Sequence, residues 1–429
     1  MNILKILKSY KKELTIGPLF KLIEAIIEIM LPIIIAKIID NASTLTGQQI
    51  FKYCLLLIFL ILVGFGAACI SQYYAARTSQ GYGTKLREKV INKISKLSEK
   101  QINNIGTSAI VNRIINDINN LEVAIAMFIR LVLRVPFICI GSLIMIFYID
   151  RKIGIMVSTS AILLGISIYA IFKISSKIQR KLNLNIDKFL VKIKESLLNI
   201  RLIKSFGSEE YEKSKVENDN LNIRKLAFKY NKVSNLLAPT STVILDMAII
   251  AVLFAYKINI NDISTGNLIA IINYISQMIS AVIVFSNLIV IYTKAFVSAK
   301  RIEEIMDLVP EMNYGIESEF EKNDIAIDFM NVDFSYNEIN KNLQNINFEI
   351  KQGEIIGIIG LTGSGKTTIL NLISRKYDIS NGEIYLFGKD IKEYSKNTLK
   401  DNVVIISQKK NFFTDTIDNN IKLRKENWR

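Results

Sequence analysis

The chain has 429 residues, of which 50% are hydrophobic and 22% are charged. A typical soluble domain carries about 25% charged residues, so this composition favours a membrane protein with room for two or three domains. The 54 Lys and Arg against 39 Asp and Glu give a net charge of +15, which fits either nucleic-acid binding or loops that face an anionic membrane surface. There is no histidine, so the commonest general base and metal ligand is excluded.

Six apolar segments are predicted to cross the membrane as helices. Each is long enough to span a hydrocarbon core of about 30 Å, which takes roughly 20 residues. Three of them contain no charged residue, and the other three carry ionisable side chains within an apolar run. In chain order the predicted spans are 15–39, 53–76, 131–149, 153–172, 233–256 and 263–293, and together they make an all-α, six-helix transmembrane domain of residues 1–300.

The distribution of basic residues predicts the orientation of these spans. The N-terminal segment and the two long connections, 77–130 and 173–232, are dense in Lys and Arg, whereas the other connections are short and carry few. Positively charged loops tend to stay in the cytoplasm. We therefore expect a multi-pass protein of the cytoplasmic membrane with both termini in the cytoplasm. Because the positive charge follows loop topology, nucleic-acid binding is rejected.

Ionisable residues inside the predicted spans have two interpretations each. Because a charge in hydrocarbon is costly, it needs a partner or a polar cavity. Lys21, Glu24 and Glu28 share one helical face, which permits a structural ion pair between Lys21 and Glu24 or a contact with a cation or substrate. Arg134 is expected to reach the membrane surface or to be paired, and Asp246 is a candidate for the substrate path.

A domain boundary is predicted at the charged segment 301–322, which contains Pro310 and Gly315 and reads as a linker. A soluble α/β domain of residues 323–429 is expected to follow. Its first stretches, 325–336 and 343–350, alternate apolar and polar residues as strands do. The apolar run 354–360 is predicted to be a buried strand.

The segment Gly360–Thr368, with the sequence GLTGSGKTT, matches the phosphate-binding loop pattern G-x-x-x-x-G-K-[ST] between a β-rich run and a helical one. Glycines at these places let backbone N–H groups turn toward an anion, and the helix that starts near Lys366 adds its positive dipole end. Lys366 would reach the β- and γ-phosphates of ATP, and the Thr367 hydroxyl would join the Mg²⁺ shell. The predicted nucleotide contacts are Gly360, Leu361, Thr362, Gly363, Ser364, Gly365, Lys366, Thr367 and Thr368.

Nearly the whole chain resembles the ATP-binding cassette exporters, in the half-transporter arrangement of six spans followed by one nucleotide-binding domain. Segments 103–118 and 196–212 are similar to the two coupling-helix regions that contact nucleotide-binding domains in that family. The resemblance implies a homo- or heterodimer of half-transporters that binds ATP and Mg²⁺, contacts membrane lipid, and exports an unidentified substrate. A drug-like amphiphile, a lipid and a peptide all remain open as that substrate.

Two further positions match motifs of this family. Tyr336, in VDFSY, resembles the aromatic residue that stacks on adenine, and a flat amphipathic ring suits that role. Gln408 resembles the glutamine that contacts Mg²⁺ and the γ-phosphate. The resemblance therefore implies that Tyr336 and Gln408 contact the nucleotide and that Thr367 and Gln408 contact Mg²⁺.

Several family motifs do not occur in residues 409–429, which follow Gln408. These are the signature loop, the Walker B strand with its Mg²⁺-organising Asp and neighbouring catalytic Glu, and the switch histidine. We therefore expect a shortened form of a longer exporter, assign no catalytic residue, and leave ATP hydrolysis as an implication of the resemblance alone. Without the Walker B strand as its parallel neighbour, the apolar strand 354–360 is expected to keep an unpaired edge.

Three functions are consistent with these residues. The leading hypothesis is ATP-driven export by a dimeric half-transporter. The second is a membrane subunit that binds ATP without hydrolysing it and regulates a complete partner, and the third is a truncated remnant without function.

Overall fold

The computed structural model describes residues 3–258, 263–320, 323–336, 341–406 and 412–422. The chain divides into two compact units. Unit 1 comprises Met1–Glu88 and Ile115–Glu303, and unit 2 comprises Lys89–Ile114 and Glu304–Arg429. The tip of the first long basic loop therefore belongs to the same unit as the C-terminal domain.

Helices account for nearly all of the described chain before residue 308. A 3₁₀ helix, Ile3–Tyr10, precedes α1 (Lys11–Asp40) and α2 (Gly47–Ile94). The first basic loop contains α3 (Glu99–Ile105) and α4 (Thr107–Asn112), and two π-helical turns, Arg113–Asp117 and Phe128–Val132, flank α5 (Ile118–Met127). The remaining helices are α6 (Arg134–Ile149), α7 (Arg151–Leu198), α8 (Ile200–Ser205), α9 (Glu209–Ser234), α10 (Leu237–Ile258) and α11 (Thr265–Asp307).

Five helical stretches of the described chain are long and apolar enough to cross a membrane. They are Gly47–Ile94, Thr107–Ile149, Arg151–Leu198, Glu209–Lys257 and Thr265–Asp307. They contain the second to fifth predicted spans in full and the sixth from residue 265 onward. The first predicted span lies in α1, a helix of 30 residues, which is not among the five. Its charges, Lys21, Glu24 and Glu28, interrupt the apolar run, so six spans remain a prediction.

A glycine with a positive φ angle ends a helix at the tip of each basic loop. Gly106 separates α3 from α4 with a φ of +84°, and Gly207 separates α8 from α9 with a φ of +60°. L-residues with a side chain rarely adopt these angles, because their Cβ atom approaches the backbone too closely. Each glycine therefore allows the chain to reverse at a defined position.

Ion pairs account for four of the five charged residues that the sequence analysis singles out within the predicted spans. Lys21 Nζ lies 2.7 Å from Glu24 Oε2 within α1, and Arg134 NH2 lies 2.7 Å from Glu28 Oε2 between α6 and α1. Pairing offsets the cost of holding each charge away from water. Asp246 lies exposed on α10, so its role on a substrate path remains a prediction.

Unit 2 contains a four-stranded antiparallel sheet in the order β2-β1-β3-β4. Its strands are β1 (Ile325–Phe334), β2 (Leu343–Lys351), β3 (Asn381–Leu386) and β4 (Lys389–Asp390), and its helices are α12 (Lys366–Ile373), α13 (Lys396–Asn402) and α14 (Ile417–Lys422). Phe329 of β1 pairs with Phe348 of β2, and their rings stack with centroids 4.5 Å apart. The two predicted strands of alternating sequence are confirmed.

The predicted buried strand at 354–360 is wrong. Residues 354–361 form no ladder with any other described residue, and the side chains of Ile355 and Ile359 are 97% and 98% exposed. An apolar strand is buried on both faces only when neighbouring strands and helices cover it. The sheet of unit 2 places its four strands elsewhere, so the segment stays extended and uncovered.

Candidate nucleotide-binding site

The phosphate-binding loop has the backbone conformation that its glycines predict. Gly363 and Gly365 have φ angles of +87° and +91°, and Gly365 is the N-cap of α12. A Cβ atom at Gly365 would also approach the tip of the Leu343 side chain, but it is the positive φ angle that favours glycine at this position. The loop leads directly into the N-terminus of an eight-residue helix, and a glycine-rich loop before a helix N-terminus is the arrangement that binds phosphate.

Lys366 holds its ammonium group inside this loop. Its Nζ donates hydrogen bonds of 2.7 Å to the carbonyl oxygens of both Gly360 and Leu361, and it lies 3.5 Å from Ser364 Oγ. One cation and the positive end of a helix therefore converge on the loop, which suits the negative charge of an ATP phosphate chain. The residues present fit this group, and Lys366 would hold it through the β- and γ-phosphates.

The two threonines that follow Lys366 have different environments. Thr367 is exposed on the first turn of α12, where its hydroxyl is free to join the coordination of a Mg²⁺ ion that accompanies the phosphates. Thr368 is buried, and its hydroxyl accepts a hydrogen bond of 3.3 Å from Tyr336. Thr368 therefore joins the loop helix to the aromatic residue that the sequence singles out.

Tyr336 is fixed close to the loop by α12. Besides its bond to Thr368, its hydroxyl accepts a hydrogen bond of 3.3 Å from Asn371 Nδ2, and its ring packs edge to face with Phe334 and Tyr377. The ring is half-buried. Its stacking on adenine remains a prediction that this position supports. Gln408, predicted to contact Mg²⁺ and the γ-phosphate, lies outside the described residues.

Tyr377 is a site residue that sequence reasoning missed. Its ring packs against Tyr336 with centroids 5.1 Å apart, and its hydroxyl accepts a hydrogen bond of 3.4 Å from Asn103 of α3. Burial, together with the negative charge of Glu99, raises the pKa of the Tyr377 hydroxyl. The signal available in the sequence was an aromatic residue soon after the loop helix, but nothing in that pattern indicated contact with a segment far away in the chain.

Two more contacts join the first basic loop to the linker segment 301–322 inside unit 2. Gln101, which is buried and caps α3 together with Ser98, donates a hydrogen bond of 2.7 Å to the carbonyl of Val309. Arg113 pairs with Glu304 at 3.1 Å. A continuous series of contacts therefore runs from α3 through Tyr377 and Tyr336 to the phosphate-binding loop.

Arg375 anchors the other end of α12. It is buried with a φ of +48°, and its guanidinium pairs with Asp378 at 2.9 Å and donates a hydrogen bond of 2.7 Å to the carbonyl of Asn313. It also lies over the ring of Tyr314, 4.7 Å from the centroid. Since Asn313 and Tyr314 follow α11, the loop helix and the linker are held together by one buried cation.

Two family models match the chain. The model described as "ABC transporter transmembrane region" matches residues 14–282, and the one described as "ABC transporter" matches residues 343–429. The chain belongs to the ABC transporter family. With its five long apolar helices this ABC transporter is an integral membrane protein, and the resemblance to exporter half-transporters is confirmed.

Curated relatives cover nearly the full length of this ABC transporter. An ABC transporter ATP-binding protein of Bacillus subtilis (strain 168) is 27% identical over 99% of this chain and 74% of its own length. An "ATP-dependent lipid A-core flippase" of Syntrophus aciditrophicus (strain SB) is 24% identical over 98% of this chain and 70% of its own. An ABC transporter ATP-binding protein of Mycobacterium tuberculosis (strain CDC 1551 / Oshkosh) is 23% identical over 97% and 72%.

Proposed function

We propose that this protein is a half-transporter that uses ATP and Mg²⁺ to move an amphipathic substrate out across the cytoplasmic membrane. The observation that carries the proposal is the path of contacts from the loop around Lys366 to the basic hairpin at Asn103. Packed side chains and hydrogen bonds of this kind are the contacts that carry energetic coupling between two sites. The relatives named as lipid A-core flippases favour a lipid or a lipid-like molecule as the substrate.

A second half-transporter is the proposed partner. The tip of the second basic loop in unit 1 exposes a group of apolar and aromatic side chains: Leu198, Leu202, Phe206 and Tyr211. Exposed apolar clusters of this kind mark protein contacts, and this tip lies in segment 196–212, which is similar to a coupling-helix region. We infer that it docks on the nucleotide-binding domain of a second chain. The positive charge of the basic loops and of the N-terminal segment supports the proposal that these loops and both termini lie in the cytoplasm.

The test measures Mg-ATP binding and ATP turnover by the purified full chain in lipid nanodiscs. Mg-ATP is expected to raise the melting temperature of the wild type but not of Lys366→Ala, because that change removes the cation inside the loop. Lys392→Ala is the matched control, since Lys392 is an exposed lysine of the same unit and lies outside the loop. Equal protection of the wild type and Lys366→Ala would refute nucleotide binding at this loop.

The rate of ATP hydrolysis distinguishes a transporter from a subunit that only binds ATP. Hydrolysis that Lys366→Ala abolishes supports the transporter. Binding without hydrolysis, both alone and with a second half-transporter, would favour the regulatory subunit instead.

A further inference from the structure

A small cavity of about 160 Å³ lies inside unit 2, and no residue of the phosphate-binding loop is in its wall. The wall comes from four stretches of that unit: residues 96–99, the linker, the segment at the end of α12, and α13. Among the described residues that line it, one, Glu99, carries a negative charge and five carry a positive charge. The five cations are Lys96, Arg375, Lys376, Lys396 and Lys400. This space is called the basic cavity below.

The positive charge of the basic cavity is not balanced from within the protein. In the part of the chain that the structure describes, Lys96, Lys376 and Lys396 form no ion pair with a carboxylate. Arg375 differs, because its charge is opposed by Asp378 at 2.9 Å. Lys96 and Lys376 are exposed and Lys396 is half-buried, so a dissolved anion has access to the three lysines whose charge is unopposed.

The surroundings of Lys396 show how closely the cations are gathered. Its ammonium group lies 5.6 Å from the centre of the Tyr314 ring, and the guanidinium of Arg375 lies 4.7 Å from the same centre. Burial, followed by the positive charge of Lys400, lowers the pKa of Lys396. Both causes disfavour the charged ammonium, and a bound anion would act in the opposite direction.

The size of the basic cavity limits what it can hold. Pockets that enclose drug-sized molecules measure about 300–1,000 Å³, so only a small group fits inside it. A second cavity of about 440 Å³ shares Ser98, Met312 and Lys376 with it and has room for the rest of a larger molecule. Lysines and carboxylates are equally frequent in the wall of the second cavity, three of each. The excess of positive charge is therefore confined to the basic cavity.

We propose that the basic cavity binds the phosphate group of a small phosphorylated metabolite, and that this binding regulates how firmly the first basic loop is attached to the C-terminal domain. The phosphate lies between Lys96, Lys376 and Lys396. These lysines belong to the first basic loop, the segment after α12, and α13, so one anion joins three segments that are distant in the chain. Several oxygens on one phosphate allow it to accept charge-assisted hydrogen bonds from several lysines at once.

This site is distinct from the one that holds ATP. Lys366 begins α12 and the basic cavity lies at the other end of that eight-residue helix, roughly 12 Å away along its axis. The two sites therefore bind phosphate groups independently, and a variant that removes one leaves the other in place.

The test measures binding of inorganic pyrophosphate to the full chain in phosphatidylcholine nanodiscs. Lys366→Ala is the background, because it removes the cation of the phosphate-binding loop. Pyrophosphate is expected to raise the melting temperature of this background more than sodium chloride does at equal ionic strength, since salt only screens the repulsion between lysines. Adding Lys96→Gln/Lys396→Gln should weaken pyrophosphate binding about tenfold.

Two matched controls separate the cavity from its neighbourhood. Lys93→Gln/Lys392→Gln removes the same charge from nearby positions that line neither cavity and should bind pyrophosphate as the background does. Met312 lines both cavities, so Met312→Trp should weaken binding without a change of charge. Val309 is an exposed residue of the same linker outside both walls, and Val309→Trp should have no effect.

Hydrogen exchange of the α3 amides tests the regulatory part. Bound pyrophosphate should slow this exchange in the background and in the lysine control, and it should not do so in Lys96→Gln/Lys396→Gln. Binding without slower exchange overturns the regulatory role.

Three results overturn the site itself. They are protection no greater than that of sodium chloride, an equal loss of affinity in the lysine control, and pyrophosphate protection of the wild type that disappears in Lys366→Ala. The last result would mean that the anion binds only at the phosphate-binding loop. Mg-ATP protection of the wild type is measured separately, so failure of the proposed transporter and failure of the basic cavity are distinguished.

Discussion

Phe329 and Ile355 are both large apolar residues in extended segments of unit 2, yet their environments are opposite. Phe329 lies in β1 between β2 and β3 and is 1% exposed, whereas Ile355 lies in the segment before the phosphate-binding loop and is 97% exposed. β1 has a ladder on each side, and residues 354–361 have none among the described residues. An apolar sequence therefore favours burial, but an extended segment is buried only where neighbouring strands and helices cover it.

The largest expected difference in stability is between two truncations, one of Phe329 in β1 and one of Ile355 in segment 354–361. Phe329→Ala should destabilise the sheet by about 3–5 kcal/mol, because it leaves a cavity against Phe348 and the rest of the core. Ile355→Ala should change stability by less than about 0.5 kcal/mol, because the isoleucine side chain already contacts water. Hydrogen exchange of the amides of β1 and β2 measures the local free energy of opening. Equal losses of stability in the two variants would mean that segment 354–361 is covered in solution.

Arg375 is buried just after α12, at the end of the helix opposite the phosphate-binding loop. Arg375→Met should cost about 2–4 kcal/mol, because it leaves Asp378 and the carbonyl of Asn313 without their buried donor. Limited proteolysis of the linker at residues 308–320 should become faster. Arg375→Lys keeps the charge but loses the planar fork, so it should rescue the linker only partly. Full rescue by lysine would show that charge alone holds the linker.

Tyr377→Phe tests whether the hydrogen bond between Asn103 and Tyr377 attaches the first basic loop to the C-terminal domain. The variant keeps the ring packed on Tyr336 and removes the acceptor for Asn103 Nδ2, so we expect a loss of about 1 kcal/mol in the protection of α3 amides, with Mg-ATP binding unchanged. A double-mutant cycle with Asn103→Ala isolates the contact. Additive effects in the cycle would contradict a direct hydrogen bond.

The smallest effect is a pH dependence at the same residue. Because folding raises the pKa of the Tyr377 hydroxyl above its ordinary value of 10.0, the folded state favours the protonated form. The corresponding stability is fully present below pH 10 and declines as the pH rises through the raised value. The difference in stability between the wild type and Tyr377→Phe should therefore change only above about pH 10, measured by exchange at α3. A change near pH 7 would indicate a different titrating group.

The phosphate-binding loop was the part of the site most fully predictable, because its requirements are local. Positive φ angles at Gly363 and Gly365 and a helix that begins at Lys366 follow from neighbouring residues, and a local pattern contains that information. The contacts of Tyr336 with Thr368 and Tyr377 could not be predicted from a local sequence pattern. They depend on how β1, α12 and the segment after α12 come together.

The charges within the predicted spans show the same limit. The spacing of Lys21 and Glu24 made a pair possible, and the pair is present. The partner of Glu28, Arg134, lies on another helix, and no periodicity in α1 could have identified it. Sequence reasoning therefore raised the question of which partner each charge has, and helix packing answered it for Glu28 and Arg134.

By itself the sequence determined the family, the membrane-spanning character, the positions of the loop glycines and of Lys366, and the two strands of alternating pattern, because each depends on composition or on residues close together in the chain. Only the tertiary structure decided that Asn103 contacts Tyr377, that Arg375 holds the linker, and that residues 354–361 lie uncovered. These features depend on contacts between distant residues. The free energy of such a contact depends on which two surfaces come together in the fold. A short stretch of sequence does not contain that information.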